Sequence, residues 1–252
     1  MRSSGILAWL VGLFCSSALA APGDPPKYAE VFTRAFAPGF SVEPPKPASD
    51  PAGATETVPL RTVDIGMLTI TGNKICAADP FVALGNTKPF TETVPAGSYA
   101  VRVAVANFPE GGHRIAFARI NFRDAPTVRW QMALIEGQKL SDLGPDEIYG
   151  YPVDSGTGSF FDPAIQDAVN AAYKQNPEVW SAWQTEGEAN GPKVIGPYSF
   201  VLMLPMGPAN VAMFHSGWGD GVYASWFGYD ADGKVVALVT DFQVIEWDKA
   251  KW

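Results

Sequence analysis

The chain has 252 residues, with 18 Lys and Arg against 26 Asp and Glu, a formal net charge of −8 and 47% hydrophobic residues. Its basic residues do not cluster. This excludes a nucleic-acid interface, which needs grouped Lys and Arg to displace counterions, and equally a patch for anionic membrane surfaces. Two cysteines and two histidines in the whole chain exclude a disulfide scaffold and a His-rich zinc site.

Met1–Ala20 reads as a secretory signal: Arg2 is the basic end, Ile6–Phe14 the apolar segment and Ala18-Leu19-Ala20 the cleavage site. The apolar run is shorter than the ~20 residues that a membrane span needs. Phe14 precedes Cys15, where a lipoprotein site requires a small residue, so no lipid anchor is expected. No other apolar run is long enough to cross a bilayer. Cleavage after Ala20 leaves 232 residues, a net charge of −9 and Cys76 as the sole cysteine. The expected location is periplasmic or secreted. The core must then be sufficient without a disulfide, and Cys76 reads as a small buried hydrophobe.

Ala21–Pro59 is rich in Pro and Ala and reads as a linker or N-terminal wrap. It is interrupted at Lys27–Phe36 by the spacing of a short docked helix. Leu60–Ile135 reads as β. Val63–Thr71 and Lys74–Ala78 flank Gly72-Asn73 as a hairpin, and Phe90–Val94 leads through Pro95-Ala96-Gly97 into Tyr99–Asn107. Arg114–Phe122 and Val128–Ile135 follow. Asp154–Asp162 reads as a glycine-rich acidic turn. Asp162 then caps a helix that has Pro163 at its first position. Ile165, Ala168, Val169, Ala172 and Tyr173 form its apolar stripe. A shorter helix restarts at Asn176-Pro177, with Val179, Trp180 and Trp183 inward and Gly187 closing it. Tyr198–Leu204 and Asn210–Phe214 are strands. Gly217–Gly221 is a second glycine-rich acidic turn and Val222–Tyr229 one aromatic strand. Asp230-Ala231-Asp232-Gly233 is a hairpin turn, and Lys234–Phe242 is the returning strand. The fold class is mostly β with a small helical insertion at 162–187 (α+β), an antiparallel sandwich or partly open barrel spanning 60–252.

SGWGDGVY and WFGYDADGKVVALVTDF, with GNKICAADPF, VPAGSYAVRV, VRWQMALIEGQ and YPVDSGTGSFFD upstream, resemble the bacterial domain of unknown function 4241 family. Together they cover most of Leu60–Phe242. The chain departs from that pattern at Ser155 and Ser159, where the family tends to carry a small residue or cysteine. This argues against an essential thiol there. The resemblance implies fold and boundaries and carries no activity.

No nucleophile elbow, phosphate-binding loop, dinucleotide fingerprint or C-x-x-C is present, and no cofactor or metal is expected. Asp230-x-Asp232-Gly233 lacks the later glutamate of a calcium loop. His215 stands beside Ser216, but adjacent strand residues face opposite ways. The sharper constellation is the pair of acidic turns. If they meet, Asp154, Thr157, Trp218, Asp220 and Tyr223, with His215 beside them, form a ligand-binding set of carboxylates and aromatic walls. Turn chemistry alone also accounts for these residues, since Asp caps turns and glycine marks tight backbone. The expected function is a binding or interaction module for a protein or small-molecule ligand, of the protein-recognising, toxin-neutralising kind. The alternative is a hydrolase that uses Asp154 and Asp220 as an acid–base pair.

Overall fold

A computed structural model describes residues 24–46, 56–109, 112–144 and 147–252. The expected signal segment, Met1–Ala20, lies outside the described residues.

In chain order, α1 (Val31–Arg34) is followed by β1 (Ser41–Val42), β2 (Val58–Ile70), β3 (Cys76–Ala78), β4 (Gly97–Phe108), β5 (Gly112–Asn121) and β6 (Arg129–Met132). Then come β7 (Tyr151–Val153), β8 (Thr157–Phe161), α2 (Gln166–Gln175), α3 (Val179–Val194), β9 (Val201–Met206) and β10 (Ala209–His215). The chain ends through β11 (Gly221–Tyr223), β12 (Ser225–Tyr229) and β13 (Val235–Asp241). The strands form a seven-stranded sheet in the order β1-β2-β4-β5-β13-β12-β6, a four-stranded sheet β3-β8-β10-β9, and a two-stranded ribbon β11-β7. All pairs are antiparallel, and the architecture is mostly β, with the large sheet curled into a half-barrel.

The layers follow from strand alternation, which sends neighbouring side chains to opposite faces. On the four-stranded sheet, Phe160, Ala212 and Phe214 face the core shared with the large sheet. Phe161, Val211 and Met213 face a second core under the helices, closed by Ile165, Val169 and Trp183. The outer side of the large sheet is covered by α1. Its buried Phe32 packs edge-on against Phe117 and Trp130 and lies 5.9 Å from Trp226.

Several expectations are corrected. The Gly72-Asn73 hairpin does not form: β2 pairs with β4, while β3 joins β8 in the other sheet. The buried Asp162 takes the Thr71 N–H, which would face Lys74 across that turn, and the Gly72 N–H beside it. Its Oδ2 accepts from Thr71 N (2.5 Å) and Gly72 N (3.1 Å), while Oδ1 caps the helix start at Ala164 N (2.8 Å). Phe90 makes only an isolated bridge to Ile135. Asp154–Asp162 is not one turn, because from Thr157 onward it is the fully buried strand β8. The expected single strand Val222–Tyr229 breaks at Ala224, its two halves serving different sheets. Along the helix stripe, Ile165 and Val169 are buried, whereas Ala168, Ala172 and Tyr173 are half-buried at its margin. Gly187 does not close α3, which runs on to Val194, and Trp180 is exposed.

Candidate functional site

Two connectors cross side by side from the four-stranded sheet to the β7–β11 ribbon. Residues 154–156 lead from β7 to β8, and residues 216–220 lead from β10 to β11. Both ends are clamped by pairing. His215 opposes Thr157 at one end, and Gly221 opposes Val153 at the other. The two acidic turns therefore meet. Ser216 N–H donates to Gly156 O (3.0 Å), and a Cβ on Gly156 would lie 3.7 Å from Gly219 Cα. Asp154 and Asp220 sit one step beyond the Val153–Gly221 pair, and both are exposed.

Each turn has an internal support. Asp79, buried at the end of β3, accepts Asp154 N–H (2.9 Å), Ser155 N–H (2.8 Å) and the Ser155 hydroxyl (2.8 Å). Tyr223 rises from β11 so that its hydroxyl donates toward Gly219 O (2.8 Å) and Ser216 O (3.1 Å). Ser216 Oγ–H reaches Gly219 O at 2.8 Å. Gly217 is required twice over. Its φ is 60°, and a Cβ there would come within 2.8 Å of Val244 Cγ2. The turns are thus braced from within, and the Asp154 and Ser155 N–H groups are used by Asp79.

Trp218 is the group this frame holds out to solvent, at 60% exposure. Its indole N–H donates to Val244 O (3.1 Å), the Arg114 guanidinium lies over its ring at 4.7 Å, and Phe108 flanks it at 5.5 Å. Thr157 is buried, and Tyr223 is a buried strut rather than an exposed wall. His215 stacks on Phe200 (5.9 Å), and burial, then the Arg114 charge, hold its pKa below the ordinary histidine value, so the ring is neutral at pH 7. Ser216 is fully buried and spends its hydroxyl inside its own turn, so it forms no nucleophile–base pair with His215.

General acid–base work by two carboxyls needs burial that separates their pKa values. Asp154 and Asp220 both stand in solvent, so the arrangement supplies charge around an aromatic anchor more readily than a proton relay. Among the described residues, no group of three His, Cys, Asp or Glu side chains converges as a metal site would require. No helix among them is long and apolar enough to cross a membrane.

Sequence reasoning missed Asp79 and Arg114. Asp79 stands before Pro80, an Asx-turn signal that here also serves a segment 75 residues away. Arg114 carries no local signal, because its role depends on where the 216–220 turn lands.

The chain matches a family described as "Protein of unknown function (DUF4241)" over residues 68–240. Neither the curated proteins nor the solved structures give a match. The match covers more than half of the chain, which therefore belongs to the DUF4241 family.

Proposed function

We propose that this DUF4241 protein is an exported binding module that recognises a protein partner through the tip formed by its two turns, as a toxin-neutralising protein would. One observation carries the reading: Trp218 is exposed yet held in one orientation by Val244, Arg114 and Phe108. Trp and Arg dominate interface hot spots, and a pre-ordered ring avoids the ordering cost that binding otherwise exacts. The flanking acids Asp154 and Asp220 suit a basic partner surface, where complementary charge speeds encounter. The signal-like Met1–Ala20 supports export. Material recovered from the periplasm is expected to begin at Ala21, and N-terminal sequencing that finds Met1 would remove this part of the proposal.

A photocrosslinking residue at position 218 is the direct test. It is expected to trap one discrete partner in cells, and the same residue at Tyr198, which is exposed but outside the two turns, is expected not to. Asp220→Asn in that background should weaken the adduct without moving the melting temperature, because Asn serves a turn nearly as well as Asp. Equal adducts at both positions, or none at 218, would count against the tip as a recognition surface. The hydrolase reading retains one observation, the place of Asp154 and Asp220 one step beyond the Val153–Gly221 pair. Turnover that vanishes in both Asp→Asn variants would favour it.

A further inference from the structure

Beside the β7–β11 ribbon, whose Tyr151, Pro152 and Tyr223 line it, a cavity of about 200 Å³ opens between the large sheet and β3. Its inner walls are buried and mostly apolar: Ala78, Phe90, Ala133, Tyr151, Tyr223 and Ser225. Its rim carries the exposed Val82 and Lys88 and the half-buried Gln138. A dry apolar cavity of ~150 Å³ is enough to take up benzene, so this space suits a fragment-sized guest rather than a drug-sized one.

The polar groups are unevenly satisfied. Ser225 and Thr240 spend their hydroxyls on each other (2.7 Å). The Tyr151 hydroxyl, buried in the wall, meets no partner in hydrogen-bonding geometry, although the Thr240 hydroxyl bears on it from outside that geometry. An unpaired buried hydroxyl is destabilising. At the rim, Lys88 makes no ion pair or hydrogen bond among the described residues. Gln138 uses its amide oxygen to accept Ile135 N–H (3.0 Å), and the amide NH₂ makes no hydrogen bond among the described residues. The rim therefore offers a cation and an N–H donor above an apolar chamber.

We propose that this cavity binds a small amphipathic acid, with its apolar body against Ala78, Phe90 and Ala133 and its carboxylate at Lys88 and Gln138. The site is separate from the Trp218 tip, so either proposal can fail without the other.

The test uses the full chain after removal of its signal segment, with alanine methyls labelled for NMR, octanoate as probe and octan-1-ol as its neutral counterpart. Octanoate is expected to shift the methyls of Ala77, Ala78, Ala83 and Ala133 saturably and leave those of α2 unmoved. Lys88→Gln, an exposed change that spares the fold, should weaken octanoate about three- to tenfold and leave octan-1-ol unchanged. Ala133→Phe should fill the chamber and abolish both. The proposal is overturned if neither probe shifts these methyls, if the shifts lie elsewhere, or if Lys88→Gln affects both probes alike. Should Ala133→Phe fail to fold, the methyl map and Lys88→Gln still decide the matter.

Discussion

Gly191→Ala is expected to lower the melting temperature by roughly 4–8 °C, although alanine is the better helix former. Helix α3 lies so close to the 199–200 segment that an alanine Cβ at 191 would fall 1.9 Å from Ser199 O and 2.3 Å from Ser199 C. Those are backbone atoms, so no side chain can rotate away. One turn earlier, a Cβ at Gly187 would lie 2.1 Å from the Phe200 ring. Residues four apart share a helix face, so Gly187 and Gly191 together make the flat strip on which α3 docks. Overpacking of this severity costs about 3 kcal/mol, against a helix-propensity gain of about 1 kcal/mol. The clash wins by roughly 2 kcal/mol, which gives the stated fall for a chain of this size. Gly72→Ala is the control, because nothing lies within 4 Å of a Cβ there and the backbone is not left-handed. Differential scanning calorimetry on both variants decides it. A Gly191→Ala protein that melts with the wild type would mean that α3 does not sit where the structure places it.

Gly187 also shows why sequence reading stopped where it did. A glycine late in a helical pattern reads as a terminator, because its local chemistry is that of a C-cap. Its true cause is Phe200, which is distant in sequence and invisible to a local pattern. The features that were legible are those whose physics is local. Asp162-Pro163 marks a helix start through its own capping oxygen, and Asp232-Gly233 closes a hairpin in which Gly233 has the expected positive φ of 75°. The β-rich class was legible because alternation and turn residues recur along the chain. Sheet membership was not. Val222–Tyr229 has one continuous strand pattern, yet it divides at Ala224 because Tyr223 pairs with Tyr151 and Ser225 with Thr240. At the candidate site, the glycine-rich acidic form of both turns was readable. Their meeting depends on the β8–β10 and β7–β11 ladders, and Tyr223's conversion from wall to strut depends on where the second turn folds back. The cavity left no trace in the sequence, since its walls come from four separated segments, within 77–90, 133–138, 149–152 and 223–225.

Asp241→Asn is expected to stabilise the protein by up to about 3 kcal/mol near pH 8 and to change little near pH 4. Asp241 ends β13 in full burial, and burial raises its pKa from the ordinary 3.8 to about 6. The rise is opposed by the Gln243 amide, which donates to Oδ1 (2.8 Å), and by the Tyr28 hydroxyl, which donates to Oδ2 (2.9 Å). The Trp247 indole pulls in the same direction from outside hydrogen-bonding geometry. The folded state thus keeps a proton that the unfolded chain has already released. The favourable contribution is complete below about pH 4 and is lost as pH rises through about 6. A difference of about two pKa units corresponds to roughly 3 kcal/mol. Asparagine removes the charge while keeping an oxygen for Gln243 and a group that Tyr28 can meet. Two other groups slope the opposite way. At Asp162, burial alone would raise the pKa, but the N–H groups of Ala164, Gly72 and Thr71 hold it below the ordinary value. Its stabilisation is therefore lost as pH falls through that lowered value. The depressed His215 likewise withdraws stability as pH falls below its ordinary value of about 6.5. Both groups remain in the variant, so they cancel in the difference between the two proteins. Urea unfolding of each from about pH 4 to about pH 8 isolates Asp241: the variant's advantage should grow through about pH 6, and a gap that stays constant across the range would mean that folding does not shift the ionisation of Asp241.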